Sequence, residues 1–509
     1  MTKTSLQKFQ VWLRKFWGIL KKINHNKRSS QSMSSNSLII VKRKIIFMTH
    51  FIRLITFCFF FQSIIAQEKP NIIFIMADDL GYGEVGAYGQ QLIQTPNIDR
   101  LSAKGMQFSD YYSGAAVCAP ARSVLMTGLH TGHTRVRGNF GKGGVIGLAG
   151  NAGRVPIKEE DLTIAEVLQD KGYRTGMIGK WGLGEPNTNG EPNKKGFDYF
   201  YGFYNQRRAH HYFPEYLWEN TQKIMLYGNE KEQTQQYTHN LFADKAINFL
   251  DRNHQKPFFL YLPVCIPHSR HEIPDKGIYT HKKAWTEKQK IYAAMVTRLD
   301  ETVGRIVQRL EALGIADNTY IFFTSDNGPA EISGDWEMFN SNGVFRGMKR
   351  DPYEGGIRIP FIVYHPQKIK PGTRSNQVGY FADFFPTVLD LIGEPMDKTF
   401  DGNSIAGILH GNQQSFERAP LYWEFYEKKG WRATRFGKWK AIQNNLHQGN
   451  QGPIEVYDLY RDPGETFDLS QSHPHLLDQA KKIFNTASIP SEHYFWKYQQ
   501  QRDIETFNN

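Results

Sequence analysis

Four short apolar runs in this chain end abruptly in polar residues. Asn71-Ile-Ile-Phe-Ile-Met76 runs into Asp78 and Asp79, and Thr175-Gly-Met-Ile178 into Lys180. Pro257-Phe-Phe-Leu-Tyr-Leu-Pro263 leads towards His268, and Tyr320-Ile-Phe-Phe-Thr324 into Asp326 and Asn327. Continuous apolar runs this short suit strands buried on both faces, as in a parallel sheet. Between them the period changes. Tyr292, Met295, Val296, Leu299, Val303, Ile306, Leu310 and Leu313 fall on one stripe of a helix. Strands alternating with helices predict an α/β fold. Ligands gather at the carboxyl ends of such strands, and all four runs end in residues able to bind a metal or an anion.

The pattern changes from about residue 400. Tyr422-Trp-Glu-Phe-Tyr426, Trp431 to Ile442 and Glu455 to Tyr460 are short and hairpin-like, and His475 to Phe484 carries a helical period. The reading is a mixed sheet flanked by helices over residues 67–398, followed over 399–509 by a smaller antiparallel sheet with one packed helix.

Charge alters this picture only at the start of the chain. The formal charge is +12, yet 12 of the 62 Lys and Arg precede Glu68, where no Asp or Glu occurs. The remaining 50 basic residues match the 50 acidic ones, so no electrostatic case for a nucleic-acid partner survives. Residues 48–66 read as a signal peptide: a basic start at Arg53, an apolar stretch from Leu54 to Ile65, and a cleavage point near Ala66. Residues 1–47 then read as an extension that is not part of the translated protein, and the expected location is secreted or periplasmic. Of Cys58, Cys118 and Cys265, the first leaves with that leader. If Cys118 is also consumed by chemistry, no intrachain disulfide remains.

Asp78, Asp79, Asp326 and Asn327 are four oxygen ligands from two strand ends, a hard set without Cys or His that suits Ca²⁺ or Mg²⁺. Pro120 and the residues after it lead into a helix predicted from Ser123, which puts Cys118 at a helix N-terminus, a position that favours an anion.

Cys118-Ala-Pro-Ala-Arg122, continued by Leu125-Met-Thr-Gly128, resembles the signature at which sulfatases convert a cysteine to formylglycine. The segments Pro70 to Asp79, Thr95 to Leu101, Gly179-Lys-Trp181, Ser325 to Gly328, Gly347 to Gly356 and Tyr457 to Glu465 resemble the same family. That family is the type I, formylglycine-dependent sulfatases of the alkaline phosphatase superfamily, and the likeness extends to bacterial polysaccharide sulfatases. The resemblance implies an alkaline-phosphatase-like fold and hydrolysis of sulfate esters on a sulfated algal or matrix polysaccharide or its oligosaccharides. It implies one Ca²⁺ held by Asp78, Asp79, Asp326, Asn327 and the formylglycine at 118, and a formylglycine-generating enzyme as maturation partner. It assigns Arg122 to holding the formylglycine hydrate, Lys180 and Lys349 to binding sulfate, and His268 to protonating the leaving alcohol. A phosphonate or phosphodiester hydrolase using the same modified residue, and a silent sulfated-glycan-binding protein, stay open as alternatives.

The resemblance breaks at one point. The family commonly carries a histidine after Gly-Lys-Trp, and this chain has Gly182. His130, His133, His210 and His211 are the candidates to replace it, with His211 favoured. The stretch from Asn205 to His211 reads as too polar for a core. It is expected to shape the sugar pocket, with Arg207 or Arg208 meeting a further acidic group.

Overall fold

A computed structural model describes residues 69–497 except 151, 331–335, 397–398 and 449–450. The leader and extension read over residues 1–66 lie outside the described residues. The strands in chain order are β1 (Asn71–Asp78), β2 (Met106–Phe108), β3 (Tyr111–Tyr112), β4 (Arg174–Lys180), β5 (Tyr199–Phe203), β6 (Tyr216–Glu219), β7 (Gln222–Met225) and β8 (Phe258–Pro267). They continue with β9 (Thr319–Ser325), β10 (Phe361–Tyr364), β11 (Thr373–Ser375), β12 (Gly379–Tyr380), β13 (Leu421–Phe425), β14 (Trp431–Phe436), β15 (Trp439–Asn444) and β16 (Ile454–Asp458).

Ten strands form one mixed sheet in the order β11-β2-β10-β9-β1-β8-β4-β5-β6-β7. The central five, β9-β1-β8-β4-β5, are parallel, and they contain all four apolar runs. Antiparallel strands close both sides: β10 pairs with β9, and β6 with β5. Because side chains alternate along a strand, β1 feeds two cores. Ile72, Phe74 and Met76 join one core, and Ile73, Ile75 and Ala77 the other. The second core is capped by the helices Thr238–Asn253 and Glu287–Ala312. The first contains the helix Cys118–Thr127 and, at its centre, Phe74 edge-on to Phe384 with ring centroids 4.5 Å apart.

The C-terminal sheet β13-β14-β15-β16 is antiparallel throughout, as its hairpin pattern predicted. One face contributes Trp423, Phe425, Trp431, Ala433, Ile442 and Tyr457 to the first core of the large sheet. The opposite face packs Tyr422, Phe436, Ala441 and Val456 against Leu476, Ala480 and Phe484 of the helix Pro474–Thr486. A buried ionic knot joins the small sheet to the body. Lys440 on β15 reaches Glu354 and Glu465, each at 2.9 Å, and Arg358 reaches Glu354 at 2.8 Å. All four groups lie below a tenth exposed.

Removing one partner from a buried ion set leaves an uncompensated charge, which costs about 3–5 kcal/mol. Lys440→Met is therefore expected to lower the free energy of unfolding by about that amount in urea titration. A loss below about 1 kcal/mol, the range of exposed pairs, would show that the knot does not hold the sheet.

Candidate active site

The carboxyl ends of β1, β4, β8 and β9 converge on one buried cluster. Asp78 ends β1, and Asp79 follows with a left-handed φ of 66°, turning its carboxylate back over the strand end. Its amide donates to Asp326 Oδ1 at 3.2 Å, just beyond β9. Ser325 ties the two strand ends further: its hydroxyl accepts from Leu80 N at 2.9 Å and donates to the Asn327 carbonyl at 2.9 Å.

The helix carrying Cys118 spans Cys118–Thr127, so it begins at the cysteine and not at Ser123. Pro120 fits inside the first turn because the amides there have no intrahelical acceptor to lose. Cys118 and Arg122 stand four residues apart and so share a face. Cys118 Sγ lies 3.4 Å from Asp78 Oδ1 and 3.6 Å from Lys349 Nζ. Arg122 donates to Asp326 Oδ2 at 2.8 Å and to the Lys180 carbonyl. Lys180 Nζ meets Asp78 Oδ2 at 2.5 Å, and Lys349 Nζ meets both oxygens of Asp79 at 2.6 and 2.8 Å. His268, just after β8, puts Nε2 3.3 Å from Asp79 Oδ2, while its Nδ1 is bonded to the Ser269 carbonyl.

These groups are all below a tenth exposed, so their charges act at low dielectric. Burial opposes ionisation of Asp78, but Lys180, His268 and Arg122 outweigh it and hold that carboxyl well below the ordinary range. Asp79 is held low in the same way by His268 and Lys349 against its own burial. Asp326 goes the other way: burial and then Asp78 push it up. Burial, helped by Asp326 and Asp78, pushes the Cys118 thiol up to about 12. As encoded it is a protonated thiol at neutral pH and a poor nucleophile. Burial lowers His268 to about 4.

The donor set fits a hard divalent cation. Asp78, Asp79 and Asp326 supply carboxylates, and burial together with the neighbouring Asp78 makes the charged form of Asp326 costly without a further cation. Asn327 donates its amide nitrogen to Asp79 Oδ1 at 2.8 Å, while its Oδ1 is buried without a hydrogen-bond partner. An amide oxygen left free beside three carboxylates is what a calcium-type site offers. Asp78, Asp79, Cys118 and His268 also form one of two groups of close metal-capable side chains among the described residues. The other, His130, His133 and Asp401, is a poor metal site. Gly132 N donates to His130 Nδ1 at 3.0 Å, so in the neutral ring the proton sits on Nε2, the atom facing Asp401.

Of the four histidines considered for the gap at Gly182, His130 and His133 are therefore committed to Asp401. His211 is exposed, with Nδ1 3.5 Å from Arg270, and it does not enter the cluster. His210 does approach it: its ring packs on His268 with centroids 4.1 Å apart. The preference for His211 thus moves by one residue, because a short 3₁₀ turn at Arg208–His210 faces His210 inward and His211 outward. Arg208 lies over the Tyr216 ring at 4.0 Å. The polar stretch that reads as too polar for a core is partly buried: Asn205, Gln206 and Ala209 are all below a twentieth exposed. Asn205 belongs there because its side chain accepts from Arg207 N and Arg208 N and donates to Glu185.

Residues 70–394 match the family described as Sulfatase, and residues 342–485 match "N-sulphoglucosamine sulphohydrolase, C-terminal". The chain is 34% identical to an arylsulfatase of Hemicentrotus pulcherrimus, over 79% of this chain and 78% of that protein. It is 30% identical to human N-acetylgalactosamine-6-sulfatase, over 84% of this chain and 86% of the relative. Among solved structures, Ps i-CgsB in complex with k-i-k-neocarrahexaose superposes with a TM-score of 0.73 at 28% identity. That match covers 86% of this chain and 97% of the other.

The orphaned Asn327 oxygen yields a direct expectation. Calorimetric titration of the native protein with calcium should give one site, and Asn327→Ala should weaken it by about tenfold or more. Equal affinity in the two proteins would exclude Asn327 from the ligand set.

Proposed function

The chain belongs to the sulfatase family and is a sulfuric ester hydrolase, and from that premise we propose that its substrate is a sulfated oligo- or polysaccharide. Two relatives support the substrate class by name, one an N-acetylgalactosamine-6-sulfatase and the other bound to a neocarrahexaose. The observation that carries the chemistry is the buried cluster that gathers Cys118, three carboxylates, three cations and His268.

Cys118 acts, in this reading, after conversion to formylglycine by a formylglycine-generating enzyme, whose hydrated aldehyde supplies the hydroxyl that attacks sulfur. The thiol held near 12 supports the need for that conversion. Asp78, Asp79, Asp326 and the free oxygen of Asn327 would hold a Ca²⁺, which supplies Lewis-acid stabilisation of negative oxygen. Arg122 fixes Asp326 and faces Cys118 from the next helical turn, so it keeps the ligand set and the reacting residue in register.

Lys180 and Lys349 bind the sulfate oxygens, where charge grows as the ester bond breaks. His268 donates Nδ1–H to the Ser269 carbonyl, so the neutral ring turns a bare Nε2 to the cluster, and Nε2 carries a transferable proton in the charged form. Burial keeps the imidazole neutral in the resting site. An anionic ester beside it favours the charged form and lets it protonate the bridging oxygen. Water and ester thus become alcohol and sulfate. His210, packed on His268, is the second histidine of the site. The same proposal puts the enzyme outside the cytoplasm, where such polymers are met. Among the described residues no helix is long and apolar enough to cross a membrane.

Two measurements test this reading. Ion chromatography of sulfate released from sulfated oligosaccharides should show release by the native protein and none by Cys118→Ala; full activity in that variant ends the proposal. His210→Ala should lower kcat by about tenfold or more, within the usual range for a proton-transfer group. His211→Ala should stay within about threefold of wild type. The reverse ranking would return the role to His211.

A further inference from the structure

We propose that Gln206 is a sulfate-binding residue of this site, its side-chain amide donating a hydrogen bond to a terminal oxygen of the bound ester beside Lys180. This deepens the reading above and rests on it.

Gln206 is 4% exposed, and its Nε2 is buried without a hydrogen-bond partner. A buried amide left unpaired costs about 1–3 kcal/mol, so it persists where something else supplies the acceptor. Its position is set by the end of β4. Trp181 N bonds to Phe203 O at 2.9 Å and Gly182 N to Tyr204 O at 3.0 Å. The chain then enters the Asn205–His210 turn, closed by Ala209 N to Gln206 O at 3.2 Å. That turn runs from the strand end bearing Lys180 to His210, which packs on His268. Gln206 therefore lies against Gly182, two residues beyond Lys180, in the turn whose last residue packs on His268.

Gly182 fits the same account. A Cβ there would fall 2.5 Å from Gln206 Nε2 and 2.6 Å from its Cγ, and the φ of 83° at Gly182 disfavours any other residue. Two residues beyond Lys180, the space that a side chain at 182 would fill is taken by one arriving from the adjacent loop. A neutral donor at this point adds direction to the anion pocket. It does so without a third ammonium that would hold product sulfate more tightly. A hydrogen bond to a charged group contributes about 1.5–3 kcal/mol, which corresponds to about 10- to 100-fold in affinity.

Gln206→Met tests the proposal, because it keeps the chain length and removes both polar atoms. A ligand-binding amide predicts two opposite changes. The melting temperature should hold or rise, since an unpaired buried group is lost, while the inhibition constant for inorganic sulfate and KM for an aryl sulfate rise about tenfold or more. Calcium titration should be unchanged. A packing role predicts a lower melting temperature with sulfate inhibition within twofold of wild type, and that result overturns the proposal. Should Gln206→Met fail to fold, Gln206→Glu keeps the shape and opposes the anion; sulfate inhibition within twofold of wild type is again the overturning result. In both cases wild-type protein must release sulfate from an aryl sulfate or from a sulfated oligosaccharide. If it does neither, the underlying reading fails, and the proposal falls with it.

Discussion

Six ionised side chains, three of each sign, are buried together at the carboxyl ends of the central parallel strands, and the rest of the architecture serves to make that possible. Asp78, Asp79, Asp326, Arg122, Lys180 and Lys349 are each below a tenth exposed. Any one of them alone would carry a desolvation penalty of several kcal/mol. They are tolerable only as a set, and they are brought together from the ends of β1, β4 and β9, the Cys118 helix and the segment that carries Lys349. Register therefore matters more here than anywhere else. β1 pairs Ala77 with Ser325 and Asp78 with Pro267, which sets Asp78 between Asp326 and His268. A slip of one residue would exchange the two apolar faces of β1 and rotate Asp78 out of the cluster.

The same solution recurs beneath the C-terminal sheet. The segment from Gly347 to Ile357 serves both clusters: Lys349 enters the first, and Glu354, five residues later, enters the knot around Lys440. Lys349 N bonds to Pro329 O and Arg350 N to Ala116 O, each at 2.9 Å, which pins the segment against the strand β9 exit and the Cys118 helix. On its other flank Trp431 donates to the Arg350 carbonyl at 2.8 Å. The small sheet thus braces the loop that supplies one of the two lysines, which gives a physical reason for its sharing a core with the large sheet.

Much of this was legible in sequence because the relevant residues are local. Asp78, Asp79, Asp326 and Asn327 follow apolar runs whose length and composition mark buried strands, and Cys118 with Arg122 reveals its geometry through helical spacing. His268 was visible for the same reason, as the polar residue after β8. The antiparallel strands on both sides of the sheet were not, since a run such as Phe361–Tyr364 has no local feature that sets its direction. Gln206 was missed, and His210 was ranked behind His211, because their placement depends on a turn closed by backbone bonds and on the space left at Gly182, some two dozen residues earlier. The glycine was the available signal: a missing side chain next to a buried lysine must be replaced by something. The helix start at Cys118 was placed too late because proline was read as a boundary, although a first-turn amide has no bond to lose.

Charge counting gives the site its last constraint. With His268 neutral, three carboxylates offset three cations, and each lysine ammonium is engaged by an aspartate. A monoanionic ester added to that balanced set would bring net negative charge into a low-dielectric pocket, which is unfavourable. The ester therefore needs a further positive charge. The free amide oxygen of Asn327 and the raised Asp326 lie where a hard dication would be received. With two added positive charges the pocket would remain one unit positive after the ester binds. Lys180 and Lys349 would then share their hydrogen bonds with the sulfate oxygens. That residual field is fixed before reaction, and it acts most strongly where charge accumulates as the sulfur–oxygen bond lengthens. Metal and anion binding should therefore reinforce one another through the same three aspartates.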